Sequence, residues 1–273
     1  MSEAIEPIEV DTPAGRVAVH ALGAGRPTVL WHGLYADGAS WGYVLPALLP
    51  GRRLLVVDAP GWGRSGRLAP DAGWAEVVTA AADVIRQLAP GEVADWVGAG
   101  WGGRVGIALA ADAPRLVRSV VAAMADPAPM GPAERRRTRR VLAGLAALGP
   151  VGGVGRAIVR EQLSAPSAAE PQTVGAVLDA LLLAGRVGAA RSALRFDVRR
   201  PDLTGLLPRI AAPLLLVGGD AASPWPLADA ERAAALAPFA RAGAVPGSRT
   251  LVPLDRPGPL TAVVGEFWAG LDD

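Results

Sequence analysis

The chain contains no cysteine, no lysine and no asparagine. Without cysteine there is no disulfide, no thiolate nucleophile and no sulfur ligand for a metal. Without lysine there is no amine for Schiff-base chemistry. Only two histidines occur, His20 and His32, both near the N-terminus, which excludes a metal site built on several imidazoles. Neither sign of charge is in excess: 27 basic residues, all arginine, face 26 acidic ones. Such a balance gives no field to favour nucleic acid or an anionic membrane as the main partner. No uncharged apolar run reaches the ~20 residues of a membrane helix. The longest candidate, residues 174–185, carries Asp179. Residues 1–15 are acidic and lack a basic segment followed by an apolar one, so they do not read as a signal peptide, and a cytoplasmic location is expected.

What remains is a globular composition of 273 residues, 51% hydrophobic and 19% charged. Short β-rich runs alternate with Ala-rich helical stretches, the pattern of a mostly parallel sheet. Strands are expected at 16–22, 27–31, 53–57, 93–97, 116–122, 213–217 and 242–245, and helices at 74–88, 102–111 and 260–271. The alternation stops between Pro127 and Arg209, where composition is helical and punctuated by Pro and Gly. The expectation is one core, residues 1–126 and 209–273, with a helical cap at 127–208. The glycines between 149 and 155 read as a flexible joint within that cap.

Three motifs stand at strand ends. Trp31-His32-Gly33 precedes Trp41; Asp58-Ala59-Pro60-Gly61-Trp62-Gly63-Arg64-Ser65 follows the next strand; Gly98-Ala99-Gly100-Trp101-Gly102-Gly103 lies between a strand and a helix. Together they resemble the α/β-hydrolase superfamily, with its HG…W oxyanion loop, DxPGxGxS turn and nucleophile elbow. The resemblance implies an α/β-hydrolase fold with a central sheet, flanking helices and a helical lid. It also implies a nucleophile at the elbow, an acid after a late strand and a histidine near the C-terminus. These roles fall on Gly100, Asp220 and Thr250. No histidine lies after His32, so no small shift of alignment restores one.

Gly100 has no side chain to attack with, and a threonine hydroxyl does not take up a proton near pH 7. Ester hydrolysis by the family route is therefore not expected. The resemblance places the oxyanion hole on the backbone amides of Leu34 and Trp101, which need no triad to stabilise a developing negative charge.

The other candidates carry two readings each. Asp220 is a poised acid/base or a residue paired with a backbone amide or Arg249; Asp126 is a second catalytic acid or a turn residue before Pro127. If both face one cavity they share a proton. His32 reads as a brace of the oxyanion loop, or as catalytic. Tyr35, Asp37 and Tyr43 are pocket candidates or ordinary loop polarity. Arg135 to Arg140 is a solvated helix face or a dock for an anionic carrier. Gly98, Gly100 and Gly103 with Asp126 also fit a dinucleotide fingerprint, although the upstream motifs have no use in such a domain. The leading expectation is a cofactor-independent, non-hydrolytic enzyme acting on a largely apolar small molecule. The rivals are a ligand-binding pseudoenzyme and a hydrolase rewired through Ser223, Ser248 or an Asp220-activated water.

Overall fold

The computed structural model describes residues 6–220 and 222–272. Among these, eight strands form one sheet in the order β1-β2-β4-β3-β5-β6-β7-β8. They are β1 (Ile8–Val10), β2 (Val17–Gly23), β3 (Arg26–Trp31), β4 (Arg52–Asp58), β5 (Ala94–Ala99), β6 (Val117–Ala123), β7 (Leu214–Gly218) and β8 (Ala240–Ala244). The β1–β2 and β2–β4 pairs are antiparallel; every pair from β4 through β3 to β8 is parallel. The inner strands are covered on both faces, so they read as continuous apolar runs rather than alternations: all of Leu214–Gly218 is buried.

Helices α1 (Leu45–Leu48), α2 (Trp74–Leu88) and α3 (Trp101–Asp112) follow β3, β4 and β5. Between β6 and β7 the chain holds only helices: α4 (Pro132–Leu148), α5 (Gly152–Gln162), α6 (Pro171–Ala184), α7 (Arg186–Ala193) and short single turns. Helix α8 (Leu227–Ala234) follows β7, and α9 (Val252–Asp255) and α10 (Pro257–Asp272) close the chain. Helix α2 buries Val77, Val78, Ala81, Val84 and Ile85 along one stripe, and the Glu76 carboxylate accepts the Gly73 amide at 2.7 Å to cap it.

Three expectations shift. Strand β1 was not anticipated, because three residues with Glu9 at the centre give no period to read. The last strand begins two residues earlier than its pattern, at Ala240. The expected glycine joint narrows to residues 149–151: Gly149, at φ 80°, ends α4, while Gly152, Gly153 and Gly155 belong to α5. No single helix among the described residues is long and apolar enough to cross a membrane.

Candidate active site

Strand β5 runs into α3 through Gly100, whose φ of 50° and ψ of −114° only glycine adopts without strain. The turn is tight: a Cβ on Gly102 would overlap the carbonyl of Trp31, and one on Gly103 would stand 2.6 Å from the Ala125 Cβ. The Gly100 amide donates to Ala123 O at 2.7 Å, tying the turn to β6. A Cβ on Gly100 itself would meet the Thr250 methyl at 3.1 Å. The strand-to-helix elbow is thus intact around a position with no side chain, and a threonine methyl faces it.

Beside the elbow lies the loop after β3. His32 is buried, with Nδ1 2.7 Å from the Gly33 carbonyl and Nε2 2.9 Å from the Ala59 amide. An acceptor on one side and a donor on the other fix the Nδ1–H tautomer and leave no nitrogen for substrate. Burial lowers its pKa, against opposing pulls from the Gly33 carbonyl, Asp58 and Asp37. Asp58 braces the same region, accepting the amides of Gly38 and Arg64 at 2.7 Å each. Among the described residues nothing accepts a hydrogen bond from the Leu34 or Trp101 amide. Both residues line one cavity of about 150 Å³, as do Gly100 and Thr250.

Tyr35 lines that cavity too, with a left-handed backbone (φ 69°) that costs a non-glycine residue about 1–3 kcal/mol. Its ring packs edge-on against Trp62, and burial raises its phenol well above the ordinary value, with Asp197 and Glu161 adding to the rise. Trp101 stacks on Phe196 at 5.1 Å between centroids, so the elbow helix touches the helical segment directly.

Much of the cavity lining is charged. Arg104, Arg137, Arg200 and Arg249 stand with Asp126, Glu134, Glu161 and Asp197. Such a lining pairs cations with carboxylates around the apolar groups of Leu34, Trp101, Met124 and Phe196. Overall hydrophobicity reports the core, and the lining of one cavity is set by a few side chains.

Two arginines organise this lining. Arg104, one turn into α3, donates to the carbonyls of Asp126, Ala128 and Pro201, thereby holding the stem that leaves β6 and the stem that returns toward β7. Burial, and next the like charge of Arg200, push its guanidinium down to about 9. Arg200 reaches Ala128 O (3.1 Å), Asp197 Oδ1 (3.3 Å) and Asp126 Oδ2 (3.3 Å). Asp197 is crowded by protein, and burial raises its carboxyl above the ordinary carboxylate range despite Arg200. Asp126 also accepts the Ala128 amide at 2.9 Å, so its turn-forming role is realised even though it lines the cavity.

Several sequence candidates stand elsewhere. Asp220 is exposed and absent from the cavity lining; its carboxylate accepts the amides of Ala222 (3.0 Å) and Gly247 (2.7 Å), not Arg249. Asp126 and Asp220 therefore do not share a cavity. Asp37 accepts the Ala39 amide at 3.0 Å and caps the turn Gly38–Trp41, outside the lining, and Tyr43 is half-exposed, also outside it. The hydroxyl of Ser223 donates to Ser248 O (3.1 Å) and that of Ser248 to Val245 O (2.6 Å), with no imidazole beside either. Of the basic run, Arg137 lines the cavity, whereas Arg136, Arg139 and Arg140 face solvent.

Arg104, Asp197, Arg200, Glu161 and Gln162 were not singled out from sequence. One signal could have found the first: Arg104 is the lone cation of helix Trp101–Asp112, which is otherwise apolar up to its final Asp112.

A family model described as alpha/beta hydrolase fold matches residues 27–146. The pimeloyl-[acyl-carrier protein] methyl ester esterase of Edwardsiella ictaluri is 30% identical over 269 residues, covering 92% of this chain and 96% of that protein. The protein of the same name from Vibrio campbellii is 36% identical over 107 residues; that match spans 39% of this chain and 40% of the relative. Among solved structures, a thermophilic esterase from Thermogutta terrifontis superposes with a TM-score of 0.85 at 23% identity, covering 97% of this chain and 98% of that one. The enol-lactonase of Burkholderia xenovorans gives 0.84 at 19% identity, covering 96% and 100%. At those identities the structural likeness speaks for the fold alone.

Proposed function

The chain belongs to the α/β-hydrolase superfamily, and from its missing nucleophile and histidine we propose that it is a non-hydrolytic enzyme promoting proton transfer on a small polar carbonyl compound. The helical segment 127–208 serves as the lid of its cavity. One observation carries the reading: the amides of Leu34 and Trp101, unpaired among the described residues, belong to the same cavity as Asp197, whose carboxyl burial makes more basic.

In the proposed step the Asp197 carboxylate removes a proton from the carbon next to the carbonyl, and the electron pair moves onto the carbonyl oxygen. The two amides receive that charge. The proton then returns to a neighbouring carbon, or a β-substituent departs with the electron pair. No enzyme–substrate bond forms, so neither a hydroxyl at position 100 nor an imidazole at 250 is required. The relatives' names speak of a carrier-linked ester. The exposed Arg136, Arg139 and Arg140, on the helix that also contributes Arg137 to the cavity, support delivery of the substrate on an acidic carrier.

Solvent-deuterium exchange into the α-carbon of a panel of 3-oxo acids and their esters, followed by proton NMR, tests the reading. The wild type is expected to exchange at least one of them, and Asp197→Asn to slow that exchange roughly 10²-fold. A second reading, a receptor that binds without turnover, is favoured by Arg200 holding both Asp126 and Asp197. Compounds that raise the melting temperature yet never exchange would support the receptor and sink the enzyme.

A further inference from the structure

A second pocket, of about 490 Å³, lies between the turn after β4 and the junction of α6 with α7, and shares no lining residue with the active-site cavity. Its lining includes Arg67, Arg186 and Arg191 and not one acidic residue. In a chain of nearly balanced charge, three cations in one concavity without a carboxylate are an uncompensated arrangement. Arg186 donates to Ala147 O at 2.6 Å, leaving the rest of its fork free, and the side chains of Arg67 and Arg191 have no partner among the described residues.

Two further features converge there. Helix α7 begins at Arg186; Arg186, Val187 and Gly188 of its first turn line the pocket, and their amides have no acceptor within the helix. The helix macrodipole adds positive potential at that end. Ser192 is only 2% exposed, lines the same pocket and has no hydrogen-bond partner among the described residues for its hydroxyl. That hydroxyl faces the Gly61 turn, 3.7 Å from where a Cβ on Gly61 would sit. A hydroxyl that no protein group uses is available to a ligand entering the pocket.

We propose that this pocket is a binding site for a phosphate group, held by Arg67, Arg186 and Arg191 through charge-assisted hydrogen bonds, with the first-turn amides of α7 and the Ser192 hydroxyl completing the cradle. The inference is independent of the reaction read from the active-site cavity. The phosphate belongs either to a small soluble phosphoester or to a phospholipid headgroup. The exposed side chains of Leu182, Leu183 and Val187 alongside give the second source a place to rest acyl chains.

Calorimetric titration of the whole protein with inorganic phosphate at fixed ionic strength is the test, with chloride as the background anion. Saturable binding is expected, weakened roughly tenfold by Arg191→Ala and less by Ser192→Ala, with Arg115→Ala unchanged. Ser192→Ala removes a hydroxyl that bonds nothing among the described residues, so its melting temperature is expected to stay at the wild-type value. Absence of saturable binding to the wild type, or equal weakening by Arg115→Ala, would overturn the proposal. Sedimentation with phosphatidylcholine vesicles, with and without phosphatidic acid, assigns the source. Capture by the acidic vesicles that Arg191→Ala abolishes marks a lipid headgroup; phosphate binding without capture marks a soluble ligand.

Discussion

The methyl group of Thr250 faces Gly100 across the elbow, 3.1 Å from where a side chain on that glycine would begin. The sequence resemblance assigns the nucleophile and base positions to these two residues, and the structure puts them side by side. Restoring one of them therefore restores no chemistry. Gly100→Ser is expected to leave p-nitrophenyl acetate hydrolysis at the uncatalysed rate and to cost about 1–2 kcal/mol of stability through backbone strain and crowding. A burst of nitrophenol, or labelling of the introduced hydroxyl by a fluorophosphonate, would contradict this.

His32 makes a different prediction. Because burial lowers its pKa below the ordinary 6.5, the native state holds it neutral while the unfolded chain protonates first. Its stabilising contribution is complete above pH 6.5 and is lost as pH falls toward the folded value. Urea denaturation across pH 5 to 8 should show wild-type stability declining on the acid side. His32→Gln should flatten that slope and, having lost two fitted buried hydrogen bonds, unfold about 2–3 kcal/mol more easily. An equal acid slope in both proteins would remove His32 as its origin.

Arg104 holds three carbonyls from two stems; Arg104→Met leaves those of Asp126 and Pro201 without a donor, while Ala128 O keeps Arg200, at a cost of about 3 kcal/mol. Limited proteolysis is expected to open the chain between residues 126 and 203 first. Arg104→Lys should recover only part of the loss, because an ammonium lacks the planar fork. Full recovery by lysine would mean that charge alone matters at this position.

Asp220, to which the sequence resemblance assigns the acid position, accepts two loop amides. Asp220→Ala is expected to lower stability by about 1 kcal/mol through release of the Gly247 amide, without changing turnover in the exchange assay. A large loss of exchange with unchanged melting temperature would return Asp220 to the mechanism.

The fold was legible because backbone sterics write it into short spans. The elbow needs Gly100 for its φ and Gly102 for close approach to Trp31, and both sit in one six-residue motif. The buried parallel strands announce themselves as apolar runs for the same reason. The charged lining was not legible, because it is assembled across distance: Arg104 meets Pro201 across 97 positions, and Arg200 meets Asp126 across 74. Nothing local to Asp197 says more than helix. Of the two readings of Asp220, the hydrogen bonds match the pairing with backbone amides, and a motif leaves open which amide that is.

In the proposed reading of residues 127–208 as a lid, the grip of Arg104 fixes both of its stems to one side chain of α3. Within that segment the Arg137 guanidinium meets the Glu161 carboxylate at 3.0 Å, tying α4 to α5 at a site open to water. Salt strong enough to screen that exposed pair is expected to slacken α4 against α5 while the buried anchor stays fast.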